Sequence, residues 1–302
     1  MNQQVEQDLQ NSWQERQEYA ERMLPLIGKL YRNRAIEISV YGRSLLNASA
    51  IDVIKAHRSV RLHEGQKLRL RESFPIVDAL SVLQLAPAQI DVGKLAWEFN
   101  YGRGKEQTDL GAFLNQELSD IVNQGDQQEP QDVVLYGFGR IGRLLARLLI
   151  ERQGTNNKLR LRAIVVRGGG DGDLEKRASL LRRDSVHGPF NGSITVDKER
   201  NALLANGSFI QVIYGNSPKE VDYTQYGIDN AIVVDNTGMW RDRDGLGIHL
   251  QSKGAKKVLL TAPGKGDIKN IVHGVNHTDI LDSDVIMSAA SCTTNAITPV
   301  LK

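Results

Sequence analysis

Val133-Val-Leu-Tyr-Gly137-Phe-Gly139-Arg-Ile-Gly142-Arg143 carries a short β-branched run into three glycines spaced G-x-G-x-x-G. Leu144-Leu-Ala-Arg-Leu-Leu149 then continues at helical spacing. Strand, turn and helix in this order are the context in which that spacing takes a dinucleotide. Gly137 permits the tight turn, Gly139 lets the backbone approach a pyrophosphate, and Gly142 lets the helix close onto the strand. The helix N-terminus holds the anion through its free N–H groups and its dipole. Glycines alone also serve purely structural turns, so the flanking strand and helix are what favour dinucleotide binding.

Outward from this stretch, signals for strands and helices alternate from Asp132 on, which implies a parallel sheet. Leu159 to Val166 reads as a second strand and Leu174 to Leu181 as a helix. Ala202 to Tyr214 reads as a hairpin turning at Asn206-Gly207, the preferred type I′ pair. Ala231 to Val234 and Lys257 to Thr261 are further buried strands. The fold class that follows is α/β, a doubly wound Rossmann-type NAD(P)-binding domain over residues 132–290.

In a typical NAD-binding unit an acidic residue about 20 positions past the glycines bonds the ribose hydroxyls. Here the strand Ala163-Ile-Val-Val166 runs into Arg167-Gly-Gly-Gly170 instead. A guanidinium beside glycines has the charge and room to take the 2′-phosphate of NADP through a planar fork. The other reading is that Asp171 or Asp173 reaches back to the ribose.

Ser291-Cys292-Thr293-Thr294-Asn295 contains the single cysteine of the chain. It follows Asp284 to Ala290, which reads as a buried strand, and precedes Ala296-Ile-Thr298, expected to open a helix. A thiol between strand and helix lies near unpaired N–H groups and the positive end of a helix dipole, which favour an anion, and the thiolate is the nucleophile. A lone cysteine is more often a small buried core residue; the fingerprint upstream is what turns the reading toward a nucleophile.

Gly137-Phe-Gly-Arg-Ile-Gly142, Asp184-Ser-Val-His-Gly188, Thr237-Gly238, Gly274-Val-Asn-His277 and Ser291-Cys-Thr-Thr-Asn295 fall in one order and spacing. From about residue 131 onward the chain thereby resembles the phosphorylating glyceraldehyde-3-phosphate dehydrogenases. The erythrose-4-phosphate dehydrogenases share much of the pattern. The resemblance implies NAD or NADP as cofactor, a phosphorylated aldehyde and inorganic phosphate as substrates, a place in glycolysis or gluconeogenesis, and a homo-oligomer for the complete protein. It places the backbone of Arg140 and Ile141 on the pyrophosphate and Asn216 near the adenine. Thr237, Gly238 and Thr261 would line the way to the nicotinamide ribose. Cys292 would attack the aldehyde to give a thiohemiacetal, then a thioester after hydride transfer, which phosphate opens to an acyl phosphate. Ser291 and Thr293 would bind that phosphate, with the Cys292 backbone N–H and a histidine stabilising the oxyanion.

Three departures qualify the likeness. Arg167-Gly168 replaces the family's Asn-Asp, and Tyr136 replaces the Asn before the first glycine. The family's base histidine lies downstream of the cysteine, yet no His follows Cys292. His187 and His277 match family motifs but read as structural, as do His249 and His273. These 302 residues are therefore expected to be a fragment whose residues 291–302 begin a catalytic domain, inactive when alone. The alternative is a non-catalytic dinucleotide-binding regulatory protein.

The first 125 residues read as an all-α extension. Trp13, Tyr19, Met23, Leu24, Ile27, Leu30 and Tyr31 recur at roughly helical intervals. Further helices are expected over 45–60 and 74–85, from Asp91 through Trp97, and from Asp109 through Val122. Residues 126–131, polar with Gly and Pro nearby, form a linker. Lys55, Arg58, Arg61, Lys67, Arg69 and Arg71 make a basic segment, but Glu64 and Glu72 interrupt it and no aromatic interleaves it, so it reads as a solvated face rather than a nucleic-acid surface.

A net charge of +2 points to no polyanion partner, and one cysteine fits a reducing cytosol. The polar, acidic start lacks the apolar core of a secretory signal, and no apolar run reaches membrane-spanning length. A cytoplasmic protein without a metal site or membrane partner is expected.

Overall fold

The computed structural model describes residues 3–106, 108–122, 129–152 and 158–302. The chain divides into two compact units, one up to Glu129 and one from Pro130 on. Of the expected linker, residues 126–128 lie outside the described residues.

The first unit runs α1 (Gln3–Arg34), β1 (Glu37–Val40), β2 (Arg43–Ser44), α2 (Ala50–Ser59), α3 (Arg61–Glu64), α4 (Leu70–Val82), β3 (Gln89–Asp91), α5 (Val92–Asn100) and α6 (Leu110–Glu117). Ala20, Met23, Ile27 and Leu30 recur every three or four residues, so α1 presents one apolar stripe, which packs on α2 and α4. Ser49 caps α2 in a reciprocal box with Asp52, which is why that helix begins at Ala50 and not at Leu45. Asp91 and Asp109 cap α5 and α6. Helix α4 lies over 70–82, earlier than the expected 74–85, because Leu83 already has extended backbone.

The helical region is present, and it holds in addition a small sheet of order β2-β1-β3 that the helical reading did not include. Its strands of two to four residues are too short for a period-two pattern to register. Asp91 ties it together, accepting from the N–H groups of Tyr41 and Gly42 at 2.9 Å each while it caps α5.

The second unit runs β4 (Gln131–Tyr136), α7 (Arg140–Glu151), β5 (Leu159–Val166), α8 (Asp173–Arg182), β6 (Ile194–Asp197), β7 (Ala202–Ala205), β8 (Ser208–Tyr214), β9 (Ala231–Asp235), α9 (Arg243–Gly247), β10 (Ala255–Leu260), β11 (Ile286–Ser288) and α10 (Cys292–Leu301). One eight-stranded sheet results, in the order β11-β10-β9-β4-β5-β8-β7-β6. The strands from β11 to β8 are parallel, and β6 and β7 extend the edge in antiparallel pairing. Along β4, Val133 and Leu135 enter one apolar cluster and Val134 and Tyr136 another, so the strand is covered on both faces. The β7–β8 turn has Asn206 at φ 48° and Gly207 at φ 83°, the two positive values a type I′ turn requires.

After β4 the chain builds outward through β5 toward β8, then returns to lay β9 on the other side of β4. The strand order therefore reverses at the carboxyl end of β4, where doubly wound folds collect ligands.

Candidate dinucleotide site and nucleophile

Gly137 leaves β4 at φ 91°, and its N–H donates to the Val165 carbonyl at 2.9 Å. A Cβ on Gly142 would stand 2.3 Å from the Gly137 carbonyl oxygen, so no larger residue lets α7 approach β4 this closely. Gly139 is the N-cap of α7 and offers no side chain to its first N–H groups. A Cβ built on Gly139 meets no heavy atom within 4 Å. Open space faces an uncapped helix N-terminus there, the cradle a pyrophosphate requires.

A cavity of about 370 Å³ adjoins this turn, within the range of small-molecule sites. Gly137, Gly139, Arg167 and Thr237 line it. Arg140, Ile141 and Gly142 form the first turn of α7 beside it. Gly238, at φ 64°, follows Thr237. Asn216 is next to the lining Gly215 and is exposed, its N–H donating to Glu220 at 3.3 Å. Thr261 lies beyond the end of β10, where its hydroxyl donates to the Asp235 carbonyl at 3.0 Å.

Arg177, on α8, lines the same cavity and was not singled out in the sequence. Its Nε donates to Asp173 Oδ2 at 2.6 Å and its Nη2 to the Arg167 carbonyl at 3.2 Å. The signal that could have found it is its place one turn after Asp173, an i,i+4 ion pair. Asp173 is thus engaged by a guanidinium, which leaves Asp171 as the acid of the alternative ribose contact.

Beneath Thr237 the buried Asp235 organises the loop. Its Oδ1 accepts from the Thr237 N–H and hydroxyl, each at 2.7 Å, and its Oδ2 lies 2.9 Å from Nε2 of the buried His249. Tyr136 meets the His249 ring edge-on at 4.7 Å. Its hydroxyl is buried without a hydrogen-bond partner among the described residues, and the residue is among those lining the cavity. Burial, with the Asp235 carboxylate near, pushes the Tyr136 phenol up to about 12, so it is a neutral donor at physiological pH.

After the edge strand β11, Ala290 has φ 58°, a conformation unusual for a residue with a Cβ. Asn295 Nδ2 donates to the carbonyls of Ala289 at 2.7 Å and Ser291 at 2.9 Å, closing the turn. Ser291 Oγ accepts from the Thr294 N–H at 3.0 Å. Because Ser291 acts as N-cap, α10 starts at Cys292 and not at Ala296 as expected. Cys292 is exposed in the first position of the helix, its Sγ 4.0 Å from Thr293 Oγ1. Among the described residues no histidine lies within hydrogen-bonding distance of the thiol.

His187 and His277 are both tied into turns. Asp184 Oδ1 lies 2.9 Å from His187 Nδ1 and accepts from the N–H groups of His187 and Val186, which holds that carboxyl far below the usual range. His277 Nδ1 accepts from the Gly274 N–H at 3.0 Å. Among the described residues no cluster of His, Cys, Asp or Glu is arranged for a metal, and no helix is long and apolar enough to cross a membrane.

Residues 131–243 match the NAD binding domain of glyceraldehyde 3-phosphate dehydrogenase. A glyceraldehyde-3-phosphate dehydrogenase-like protein of Pseudomonas aeruginosa is 58% identical over 285 residues, which is 93% of this chain and 61% of that protein. So long a match takes in most of the first unit. Glyceraldehyde-3-phosphate dehydrogenases of Zymomonas mobilis and Thermotoga maritima are 40% and 38% identical over 170 residues, 56% of this chain. The chain spans only 47% and 48% of their lengths. The fold, the glycine cradle and these matches make the second unit an NAD(P)-binding domain of the glyceraldehyde-3-phosphate dehydrogenase kind.

Proposed function

We propose that the complete protein oxidises glyceraldehyde 3-phosphate to an acyl phosphate, using NAD or NADP and inorganic phosphate, with Cys292 as nucleophile. One observation carries this reading. The cradle follows β4 and the cysteine follows β11, two parallel strands of one sheet, so both stand at its carboxyl edge.

Gly137, Gly139 and the N–H groups of Arg140 and Ile141 hold the pyrophosphate. Arg167, with Arg177 beside it, faces the adenosine ribose, and Thr237, Gly238 and Thr261 border the path to the nicotinamide. When bound, the nicotinamide supplies the acceptor for a hydride. Cys292 Sγ forms a bond to the aldehyde carbon while the carbonyl oxygen gains a proton, giving a thiohemiacetal. Loss of the hydride from that carbon and the proton from its oxygen leaves a thioester. A phosphate oxygen then attacks the carbonyl, the C–S bond breaks, and the thiolate is regenerated. The Cys292 N–H, first in α10 and outside the helical ladder, donates to the developing oxyanion. Ser291 and Thr293 hydroxyls orient the attacking phosphate.

In the complete protein, Cys292→Ser should abolish aldehyde oxidation while cofactor affinity is kept, and iodoacetamide should label the parent fast near neutral pH. Undiminished turnover by the variant ends the assignment. Erythrose 4-phosphate assayed alongside shows which aldehyde is preferred.

A further inference from the structure

The first unit contains a concavity of about 560 Å³ whose lining residues all belong to that unit. Six cations from separate segments converge on it: Arg16 of α1, Arg58 of α2, Arg61 of α3, and Lys67, Arg69 and Arg71 where α4 begins. A single carboxylate, Glu15, is among its walls, and it lies 3.5 Å from Arg71 in a pair whose side chains are about half exposed. That pair offsets one of the six cations. The side chains of Arg58, Arg61, Lys67 and Arg69 pair with no carboxylate among the described residues.

Glu64 and Glu72, which interrupt the basic segment in sequence, do not interrupt it in space. Glu64 accepts from the Tyr41 hydroxyl at 2.6 Å. Glu72 accepts from the Tyr101 hydroxyl and the Arg69 N–H, each at 2.8 Å. Neither borders the concavity. The floor is apolar, made of the buried Ile54, Leu68 and Leu70 with half-buried Tyr19. His57 also faces it and is neutral at physiological pH, since burial brings its pKa down to about 4.

Like charges crowded at one hollow repel each other unless a polyanion lies among them. The form argues against a nucleic-acid strand, which is bound along an extended groove with successive stacking aromatics. Here the charges surround one bounded hollow, and its one aromatic, Tyr19, is packed on Phe74 at 5.5 Å. An apolar floor under a cationic rim suits a small molecule with a compact body and several phosphates. We propose that this concavity binds a nucleoside triphosphate, its phosphates among Arg16, Arg58, Arg61 and Lys67 and its base over the apolar floor.

The test is calorimetric titration of GTP and of tripolyphosphate into the 302-residue chain, with saturating NAD present to occupy the second unit. Both should bind at one site per chain, GTP the tighter. Arg58→Glu and Lys67→Glu, at exposed positions, should each weaken GTP at least tenfold and leave NAD affinity and thermal unfolding unchanged. Arg243→Glu, a charge reversal in the second unit, should change GTP affinity less than twofold. The proposal is overturned if GTP gives no heat at millimolar concentration while NAD still binds, if the two reversals leave its affinity intact, or if tripolyphosphate binds and GTP does not. It is equally overturned if a 12-nucleotide single-stranded RNA binds 100-fold more tightly than GTP and loses that affinity in the same variants.

Discussion

Arg167 stands at the end of β5, in the place where NAD-binding units ordinarily carry a ribose-binding acid. Its substitution for the acid was legible from spacing alone. Its companion Arg177 was not, because only the folded turn between β5 and α8 brings its guanidinium to the Arg167 carbonyl. With two guanidinium groups at one edge of the cavity, the 2′-phosphate of NADP should be accepted. Arg167→Ala should weaken NADP by about 10- to 100-fold, the equivalent of one charge-assisted contact of roughly 1.5–3 kcal/mol, and change NAD affinity little. Fluorescence titration with both cofactors checks this. A parent chain that prefers NAD by several orders of magnitude would instead assign the ribose contact to Asp171.

Between elements, a single buried histidine joins α2 to α4. His57 Nδ1 lies 2.8 Å from the Val53 carbonyl and Nε2 2.7 Å from the Ser73 hydroxyl. The neutral ring satisfies both, donating from Nδ1 and accepting at Nε2. Burial lowers its pKa from 6.5 to about 4. Between those values the unfolded chain takes up a proton that the folded chain refuses. The stability that His57 contributes is therefore complete above pH 6.5 and is lost as pH falls toward 4. From pH 7.5 to pH 5 the loss should be about 2 kcal/mol. Urea unfolding at both pH values, for the parent and His57→Gln, measures it, and the variant should lose most of this slope. An identical slope in both would show that other groups carry the pH dependence. Helix starts were legible where an aspartate cap preceded an apolar stripe, as at Asp91 and Asp109, but the end of α6 was not: it stops at Glu117, short of the expected Val122. The start of α10 was missed because a capping serine followed at once by a cysteine reads as loop until Asn295 is seen to close the turn.

For the molecule as a whole, cofactor binding and turnover should separate. The second unit contains the cradle and the cysteine, but no histidine within reach of Sγ among the described residues. The purified 302-residue chain should bind NAD or NADP and give no steady NADH or NADPH with glyceraldehyde 3-phosphate and inorganic phosphate. A general base typically contributes about 10²–10⁴-fold in rate, and its loss alone accounts for silence in a standard assay. Steady turnover would mean that a base within this chain serves Cys292, and His187→Ala would be the first variant to examine.

The sequence by itself determined the doubly wound class and the glycine turn after β4, and it put the single cysteine between a strand and a helix. Each of these is a local pattern: glycines where the backbone must turn or approach closely, β-branched runs where strands are buried on both faces, a cysteine between strand and helix. The tertiary structure alone decided what depends on contacts between distant residues. It set the small sheet around Asp91 and the pairing of Arg177 with Asp173. It also turned Glu64 and Glu72 onto tyrosine hydroxyls, leaving the cations of the first unit around one hollow. Charge order along a chain says which ions are adjacent in sequence, and only the packing of helices says which of them share a field.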